Sequence, residues 1–241
     1  MITRIINLSF KAAKVPDCFK IAAIIPILKK IFLDPEVLNN LRPVSTLPFV
    51  SKTLDEVAGK RLGKHKEKNK LNEKLQSAYR NGHSTETALI RIQHDLLTAI
   101  DQRRCVFLVL LDMSAAFDTV DHSVLLKRLS DRYGVKDQAL AWVKSYLSER
   151  KQFVSITGAK STEEDLECNV PQGSVLGPGL FSDYNGPVGD IFRKHKVDFH
   201  LYADDTQVYL SFPAGSESEA LSQLEACLQD VRLWMARNYL I

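Results

Sequence analysis

Apolar positions along this chain repeat with two different periods, and each period predicts a type of secondary structure. A spacing of three to four residues, typical of amphipathic helices, covers residues 5–12, 51–62, 85–102, 123–133, 138–147 and 219–234. Short apolar or β-branched runs, typical of strands, occupy residues 20–25, 105–111, 152–156 and 166–170, and two more lie within residues 199–212. A weaker helix is expected over residues 180–194, which contain two glycines and a proline. This mixture predicts an α+β fold.

Three local features refine this pattern. The run at residues 105–111 is apolar throughout, which predicts a fully buried strand. Pro43 predicts that residues 42–45 form a turn or the start of a helix. Ser84 or Thr85 is expected to cap the helix that follows, since a hydroxyl oxygen can accept a bond from a free N–H of the first turn.

The segment at residues 199–212 (FHLYADDTQVYLSF) is the one around which the chain is organised. Apolar and aromatic residues flank a short polar centre, which predicts two strands joined by a tight turn at Asp204 and Asp205. Two adjacent carboxylates repel each other, so a divalent cation with oxygen ligands would stabilise them. An ordinary surface turn with two solvated acids explains this stretch equally well.

Composition limits the class of protein. The chain has 241 residues, of which 45% are hydrophobic and 25% charged, close to the average of soluble globular proteins. No apolar run approaches the roughly 20 residues that span a bilayer, and lysines interrupt any signal-peptide core, so no membrane partner is expected. The cysteines lack zinc spacing and are expected to be reduced thiols of an intracellular protein, nuclear or cytoplasmic: Cys18, Cys105, Cys168 and Cys227.

Charge is distributed unevenly along the chain. Residues 1–104 hold 19 Lys and Arg against 10 Asp and Glu, whereas residues 105–241 hold 13 against 19. The net charges of the two parts are therefore +9 and −6, which add to +3. A basic part and an acidic part suit a protein that binds a polyanion and carries metal-binding carboxylates, although ordinary surface patchiness gives the same asymmetry.

A third carboxylate belongs with the acid pair. Asp112 directly follows the apolar run at residues 105–111, and a carboxylate in such a place is costly unless it is paired or bound to metal. If this strand neighbours the hairpin, three carboxylates meet at one edge of a sheet. That set suits two hard cations about 4 Å apart, which can stabilise the attacking and leaving oxygens of a phosphoryl displacement. Mg²⁺ fits such a site.

Three segments in this order resemble motifs A, B and C of reverse transcriptases: residues 110–118 (LLDMSAAFD), 171–178 (PQGSVLGP) and 202–205 (YADD). The surrounding blocks resemble the non-LTR, LINE-type branch of that family: residues 41–45 (LRPVS), 76–80 (QSAYR) and 83–89 (HSTETAL). A lone YADD would be a weak signal, but several ordered blocks make coincidence very improbable. The resemblance covers nearly the whole chain.

The resemblance implies an RNA-directed DNA polymerase with a right-hand fold, in which an antiparallel palm sheet carries the acids and helices pack behind it. Residues 1–104 would form the fingers and residues 105–241 the palm, with about 123–168 returning partly to the fingers. Its partners would be an RNA template, a DNA primer and deoxynucleoside triphosphates (dNTPs). The chain stops at Ile241, before the family's motif D and thumb, so a hand without a thumb is expected, and likewise no endonuclease domain before residue 1.

The family's metal ligands carry over to four positions. Asp112, Asp204 and Asp205 match the catalytic acids, and the main-chain carbonyl of Met113 would be a further ligand. Together they would hold two Mg²⁺ ions, with Mn²⁺ as an alternative.

The remaining functional positions follow from the same motifs. Phe117 stands where the family keeps its sugar gate, a bulky ring that would exclude a ribose 2′-hydroxyl; without the family it would be interpreted as a core aromatic. Gln172 and Gly173 would lie against the incoming nucleotide and template. Arg42 and Arg80 would grip template or triphosphate, unless they are simply solvated.

Two further positions would contact the nucleic acid. Tyr202 and Pro171 would lie near the primer and template, with an ordinary strand aromatic as the alternative for Tyr202. The remaining acids near these motifs are expected at the surface or in hydrogen bonds, and two histidines to be structural: Asp118, Asp121, Asp183, Asp190, His83 and His122.

Two other functions remain open at this point. A catalytically inactive retrotransposon remnant with at most weak nucleic-acid binding would fit the missing motif D and thumb, and the helix at residues 180–194 departs from the family at Gly179 and at residues 184–187 (YNGP). An RNA-dependent RNA polymerase would share the acids, but Phe117 and the motif B block argue against it.

Overall fold

The computed structural model describes residues 1–113, 117–166, 168–171 and 173–240. Its α-helices are α1 (Ile2–Ala12), α2 (Phe49–Lys68), α3 (Thr85–Asp101), α4 (His122–Asp131), α5 (Asp137–Leu147), α6 (Gly177–Asn185), α7 (Val188–Lys194) and α8 (Glu217–Arg237). Its strands are β1 (Ile21–Leu28), β2 (Leu41–Thr46), β3 (Arg104–Leu111), β4 (Arg150–Ile156), β5 (Ala159–Lys160), β6 (Glu164–Leu166), β7 (Asp198–Tyr202) and β8 (Asp205–Pro213). The α+β class expected from the periodicity is confirmed. None of the helices in these ranges is long and apolar enough to cross a membrane.

The chain divides into two compact units, each made of two separate stretches. The first unit comprises Met1–Leu71 and Val120–Leu180, and the second comprises Asn72–Thr119 and Phe181–Ile241. The assignment of residues 1–104 to fingers and 105–241 to palm stays a prediction. Both units are α+β, and each has its own sheet.

The first unit contains a mixed sheet in the order β2-β1-β4-β5, with β6 also paired to β4. β1 runs antiparallel to β2 and parallel to β4. Helices α1 and α5 contact each other, and the ring of Phe10 packs 5.0 Å from that of Trp142. Large side chains of α4 and α5 are buried, among them Leu125, Leu129 and Tyr146, and they supply much of this unit's apolar burial.

β2 corrects one expectation from the sequence. Pro43 was expected to lie in a turn or at the start of a helix, but it lies within this strand, opposite Pro26 of β1. The strand is at the edge of its sheet. A proline is tolerated there because no further strand needs its missing backbone donor.

The second unit contains a three-stranded antiparallel sheet in the order β3-β8-β7. One sheet face forms a core with α7 and α8, in which Phe192, Phe199, Val208 and Leu224 are buried. α3 contacts β3 and β7. The antiparallel sheet expected for the acid-bearing region is confirmed.

β3 is a strand, as the apolar run predicts, but it is not fully buried. Phe107, Val109 and Leu111 alternate toward the core, whereas Leu108 is 46% exposed and Leu110 is 71% exposed. The core packs on one face of this strand, and Leu108 and Leu110 lie on the other, so an unbroken apolar sequence did not distinguish one buried face from two.

Two other boundaries differ from the sequence pattern. The helix expected over residues 180–194 is interrupted between Asn185 and Val188, where Gly186 and Pro187 lie. The break is well packed, since the Tyr184 hydroxyl is buried and donates a 2.6 Å hydrogen bond to the carbonyl of Asn238. The strand expected at residues 166–170 lies earlier, as β6, because Leu166 pairs with Arg150.

Candidate active site

The acid pair lies where the two strands of a hairpin meet. Tyr202 pairs with Asp205, so only Ala203 and Asp204 connect β7 to β8. Ala203 has φ +58°, in the left-handed region that residues with a Cβ seldom adopt. The tight turn is therefore confirmed, but it begins one residue earlier than expected, and Asp205 already belongs to β8.

The strand register brings the third acid to the same place. β3 and β8 pair antiparallel up to Leu111 opposite Thr206. One further step of this register places Asp112 opposite Asp205, on the same face of the sheet. The sequence could not supply this neighbour relation, because Asp112 and Asp205 lie far apart in the chain.

Charge interactions are consistent with this placement. The pKa of the Asp205 carboxyl is raised above its usual value, first by partial desolvation and then by the charges of Asp204 and Asp112. The pKa of the Tyr79 hydroxyl is raised by burial and by the neighbouring Asp204 and Tyr202. Three carboxylates that repel each other form an electronegative site, which favours a bound cation.

The three carboxylates are the candidate ligands of a divalent cation. Within the described residues, no group of three or more His, Cys, Asp or Glu side chains is arranged to hold a metal ion. Mg²⁺ is usually bound through one or two carboxylates, with waters and substrate phosphates completing its coordination. The carboxylates of Asp112, Asp204 and Asp205 suit that mode of binding.

The second unit also contains four other predicted site residues. Met113 is 4% exposed and directly follows Asp112. Phe117 is half-buried, and its ring lies 4.9 Å from the ring of Phe181. Tyr202 is half-buried at the end of β7.

The fourth of these residues, Arg80, lies against its own loop. One guanidinium nitrogen donates to the carbonyls of Glu73 at 3.3 Å and of Lys74 and Gln76 at 3.5 Å. These bonds stabilise the loop, and contact of Arg80 with template or triphosphate stays a prediction.

The glycine-rich segment of motif B lies in the first unit. Gly173 has φ +105°, and a Cβ at this position would lie 2.6 Å from the carbonyl oxygen of Ser45, so only glycine fits against β2. Pro171 is buried. Arg42 lies on β2 and is exposed, whereas Gln172 lies outside the described residues.

A buried ionisable cluster holds this segment from within. The backbone N–H groups of Val175 and Leu176 favour the charged form of the Asp55 carboxyl and lower its pKa, and the Tyr146 hydroxyl donates to Asp55 at 3.2 Å. Arg150 is 1% exposed, and its guanidinium lies 5.1 Å from the centre of the Tyr146 ring. Desolvation, which outweighs the attraction to Arg150, raises the pKa of Asp55 to about 6.

Sequence reasoning missed this cluster and misjudged one acid. Asp55 lies next to the buried Leu54 in α2, and an acid on the core side of a helix is the only signal of its role. Asp183 was expected at the surface, but it is 3% exposed, so that expectation is wrong. Asp118 and Asp190 are exposed, as expected.

The two histidines were expected to be structural. A ring nitrogen of His122 lies 2.7 Å from the Asn169 carbonyl, and one of His83 lies 3.1 Å from the Asn81 carbonyl. All four cysteines are free, as expected.

Solved structures with a similar fold include telomerases. The chain resembles apo telomerase from Candida tropicalis truncated from the C-terminal domain, with a TM-score of 0.63 and 13% identity over 97% of this chain and 52% of that one. It also resembles apo telomerase from Candida tropicalis, with a TM-score of 0.66 and 10% identity over 92% of this chain and 43% of that one. At these identities the comparison establishes the fold: helices and sheets consistent with a palm-and-fingers polymerase.

The sequence comparisons identify the family. The model of the reverse transcriptase (RNA-dependent DNA polymerase) family matches residues 27–241, and the chain belongs to that family. It is 33% identical to the RNA-directed DNA polymerase from mobile element jockey of Drosophila melanogaster, over 93% of this chain and 24% of that protein. It is 30% identical to the probable RNA-directed DNA polymerase from transposon BS of the same species, over 92% of this chain and 24% of that protein. The resemblance to mobile-element reverse transcriptases is confirmed, and the chain spans about a quarter of the length of these relatives.

Proposed function

We propose that this chain contains the nucleotidyl-transfer site of an RNA-directed DNA polymerase, which extends a DNA primer along an RNA template with dNTPs. The observation that carries the proposal is the β3–β8 register, which leads Asp112 to Asp205 beside the turn that bears Asp204. Membership of the reverse transcriptase family supports the same chemistry. The four free thiols suit an intracellular protein.

The acids have distinct tasks in this proposal. Asp112, Asp204 and Asp205 would hold the divalent ions, with Asp205 close to the ion that binds the primer 3′-hydroxyl. The main-chain carbonyl of Met113 adds an uncharged oxygen. Two bound Mg²⁺ ions, or Mn²⁺ in their place, would stabilise the attacking and leaving oxygens while pyrophosphate departs. The protein's own contribution is to position the reacting groups and to supply fixed charge.

The other motif residues select and hold the substrates. Phe117 is placed to exclude a ribose 2′-hydroxyl, and its packing on Phe181 supports a fixed ring. Gln172 and Gly173 contact the nucleotide and template. The close fit of Gly173 against β2 supports a fixed position for the loop that carries both residues. Arg42 and Arg80 contribute positive charge toward template or triphosphate, and Tyr202 and Pro171 lie near the primer and template.

Primer extension by the purified chain tests this function. With Mg²⁺, dNTPs and a DNA primer on an RNA template, we expect extension by the unaltered chain. Asp112→Ala, Asp204→Ala and Asp205→Ala are each expected to lower the rate at least about a thousandfold, because each removes charge from the metal site. Asp101→Ala is the control, since this exposed acid lies at the C-terminal end of α3, where negative charge is unfavourable.

Three results would contradict the proposal. Extension retained in all three acid variants would show that these carboxylates are not the metal site. No extension by the folded, unaltered chain would favour the inactive remnant. Equal use of ribonucleotides and deoxynucleotides would instead favour an RNA polymerase.

A further inference from the structure

Both backbone polar groups of Ala203 are contacted by side chains from outside the hairpin. The Ala203 N–H donates a 3.1 Å hydrogen bond to Oε1 of Gln76. The Ala203 carbonyl accepts a 3.5 Å hydrogen bond from Nδ2 of Asn185. Gln76 is 6% exposed and Asn185 is 0% exposed, so neither contact is made by a mobile surface group.

Gln76 is itself fixed at several points. Its Oε1 also accepts from the N–H of Ala78 at 2.9 Å. On either side of it, the Leu75 carbonyl accepts from Leu201 at 2.8 Å, and the Ser77 N–H donates to the Leu201 carbonyl at 3.0 Å. The segment at residues 75–77 therefore runs along the outer edge of β7 and places the side-chain amide of Gln76 beside the turn.

These contacts are important because the backbone of Ala203, with φ +58°, is in an unfavourable left-handed conformation. Left-handed backbone is unfavourable for a residue with a Cβ, so surrounding contacts must maintain it. Asp204 and Asp205 follow immediately, so the directions of their carboxylates depend on the dihedral angles at Ala203. Loss of the amide contacts would let the turn relax and would turn the acids away from each other.

We propose that Gln76 and Asn185 are positioning residues that hold the turn at Ala203, and through it the carboxylates of Asp204 and Asp205, in the geometry that binds divalent metal. The inference rests on the proposed function for its consequence in catalysis. The bracing itself can be tested without catalysis.

The test compares two substitutions of the same kind. Gln76→Met keeps the length of the side chain and removes its hydrogen bonds. Gln207→Met is the matched control, because Gln207 lies in β8 of the same sheet and its Oε1 has no hydrogen-bond partner among the described residues. Asn185→Leu provides a second route to the same turn if Gln76→Met fails to fold by circular dichroism.

The first readout is hydrogen exchange of the Ala203 amide in the metal-free chain. We expect exchange at this amide to be about tenfold faster in Gln76→Met than in the unaltered chain, because the side chain that accepts its hydrogen is gone. Gln207→Met should leave it unchanged. Unchanged exchange in Gln76→Met would overturn the bracing.

The second readout is metal affinity, measured by titration with Tb³⁺, which binds oxygen ligands and is sensitised by nearby tyrosines such as Tyr202. We expect affinity about 10- to 100-fold weaker in Gln76→Met and in Asn185→Leu, the usual effect of losing a group that orients metal ligands. Asp205→Asn should abolish the signal that belongs to this site. Unchanged Tb³⁺ affinity in both bracing variants would overturn the proposal.

The third readout separates this proposal from the proposed function. In primer extension, the Mg²⁺ concentration for half-maximal rate should rise in Gln76→Met by the same 10- to 100-fold, whereas the KM for dNTP at saturating Mg²⁺ should stay the same. A raised KM with an unchanged Mg²⁺ requirement would overturn it. If the unaltered chain extends no primer, the proposed function fails, and the exchange and Tb³⁺ titrations still decide the role of Gln76.

Discussion

Asp55 shows how a single residue can be costly in one respect and useful in another. Asp55 is 1% exposed, and its carboxylate interacts with the backbone N–H groups of Val175 and Leu176, in the segment that carries Gly173. Burial disfavours its charged form, and Arg150 compensates only in part. With a pKa of about 6, the buried Asp55 carboxyl lowers the free energy of unfolding at neutral pH. It also lies beside the loop that carries Gly173.

The raised pKa of Asp55 predicts a pH-dependent stability. The folded-state value of about 6 exceeds the ordinary 3.8, so the folded state binds the proton more tightly. The stabilisation from protonated Asp55 is therefore complete below pH 3.8 and is lost as pH rises to 6. Relative to the unaltered chain, Asp55→Asn should gain about 3 kcal/mol of unfolding free energy between pH 3.5 and 7.

Denaturant unfolding of both proteins across this range measures the gain. Asp131→Asn, the same change at an exposed acid of α4, is the control and should show almost no such trend. A difference between Asp55→Asn and the unaltered chain that stays constant with pH would contradict the buried titration.

Phe117 carries a prediction about substrate choice. Its ring is packed against Phe181 and is expected to block a 2′-hydroxyl, so Phe117→Val should increase the use of ribonucleotides relative to deoxynucleotides about tenfold or more. Competing kcat/KM values for a ribonucleotide and its deoxy form measure the ratio. Phe212→Leu is the control and should leave the ratio unchanged, because this buried phenylalanine of the same unit packs on Phe107. An unchanged ratio in Phe117→Val would make this ring an ordinary packing residue.

At the scale of elements, the same residue type acts differently according to what surrounds it. Gly173 has a positive φ and lies against the backbone of β2, whereas Gly63 lies within α2 with open space where a Cβ would be. The first position requires glycine, and the second only tolerates it.

This contrast predicts opposite effects of one substitution. Gly173→Ala should lower the unfolding free energy by about 3 kcal/mol, because it combines backbone strain with a clash against the Ser45 carbonyl. Gly63→Ala should raise it by about 0.5–1 kcal/mol, because alanine loses less backbone entropy in a helix. Thermal or denaturant unfolding compares the two variants. Equal effects would mean that the loop yields to the added Cβ.

Over the whole molecule, the uneven charge follows the structural units more than the chain order. The first unit holds 22 Lys and Arg against 14 Asp and Glu, and the second holds 10 against 15. Their net charges are thus +8 and −5. The acids that would bind metal belong to the negative unit, and the basic helix α2 belongs to the positive one. A polyanion should therefore be attracted mainly by the first unit.

Salt dependence tests this division of charge. Replacing the exposed Lys64 and Lys68 of α2 by Gln should weaken binding of an RNA–DNA duplex, because each lost phosphate contact removes a released counterion. The slope of log K against log salt should become shallower by about 2. The same change at the exposed Arg232 and Arg237 of α8, in the negative unit, is the control and should alter neither value. If the α8 pair and the α2 pair changed the affinity and the slope equally, the attraction of a polyanion mainly by the first unit would be contradicted.

The local pattern was sufficient for most elements and for the acids. The cap at Ser84, which accepts from the N–H of Thr87, follows from neighbouring residues alone, and so does the hairpin around Asp204. The pattern failed where the answer depends on a partner. Pro43 is tolerated in a strand because β2 is an edge, and Leu110 is exposed because the core packs on the other face of β3. Neither condition can be recognised from the segment itself.

The sequence by itself determined where most helices and strands lie, which carboxylates are candidate ligands, and the family. Each of these depends on the period or the order of residues within a short segment. Only the tertiary structure decided that Asp112 continues toward Asp205, that Asp55 holds the loop after Pro171, and that Gln76 reaches Ala203 across 127 positions. The physical reason is that burial and hydrogen bonding depend on distance in space, and a residue's type does not reveal which distant group will satisfy it.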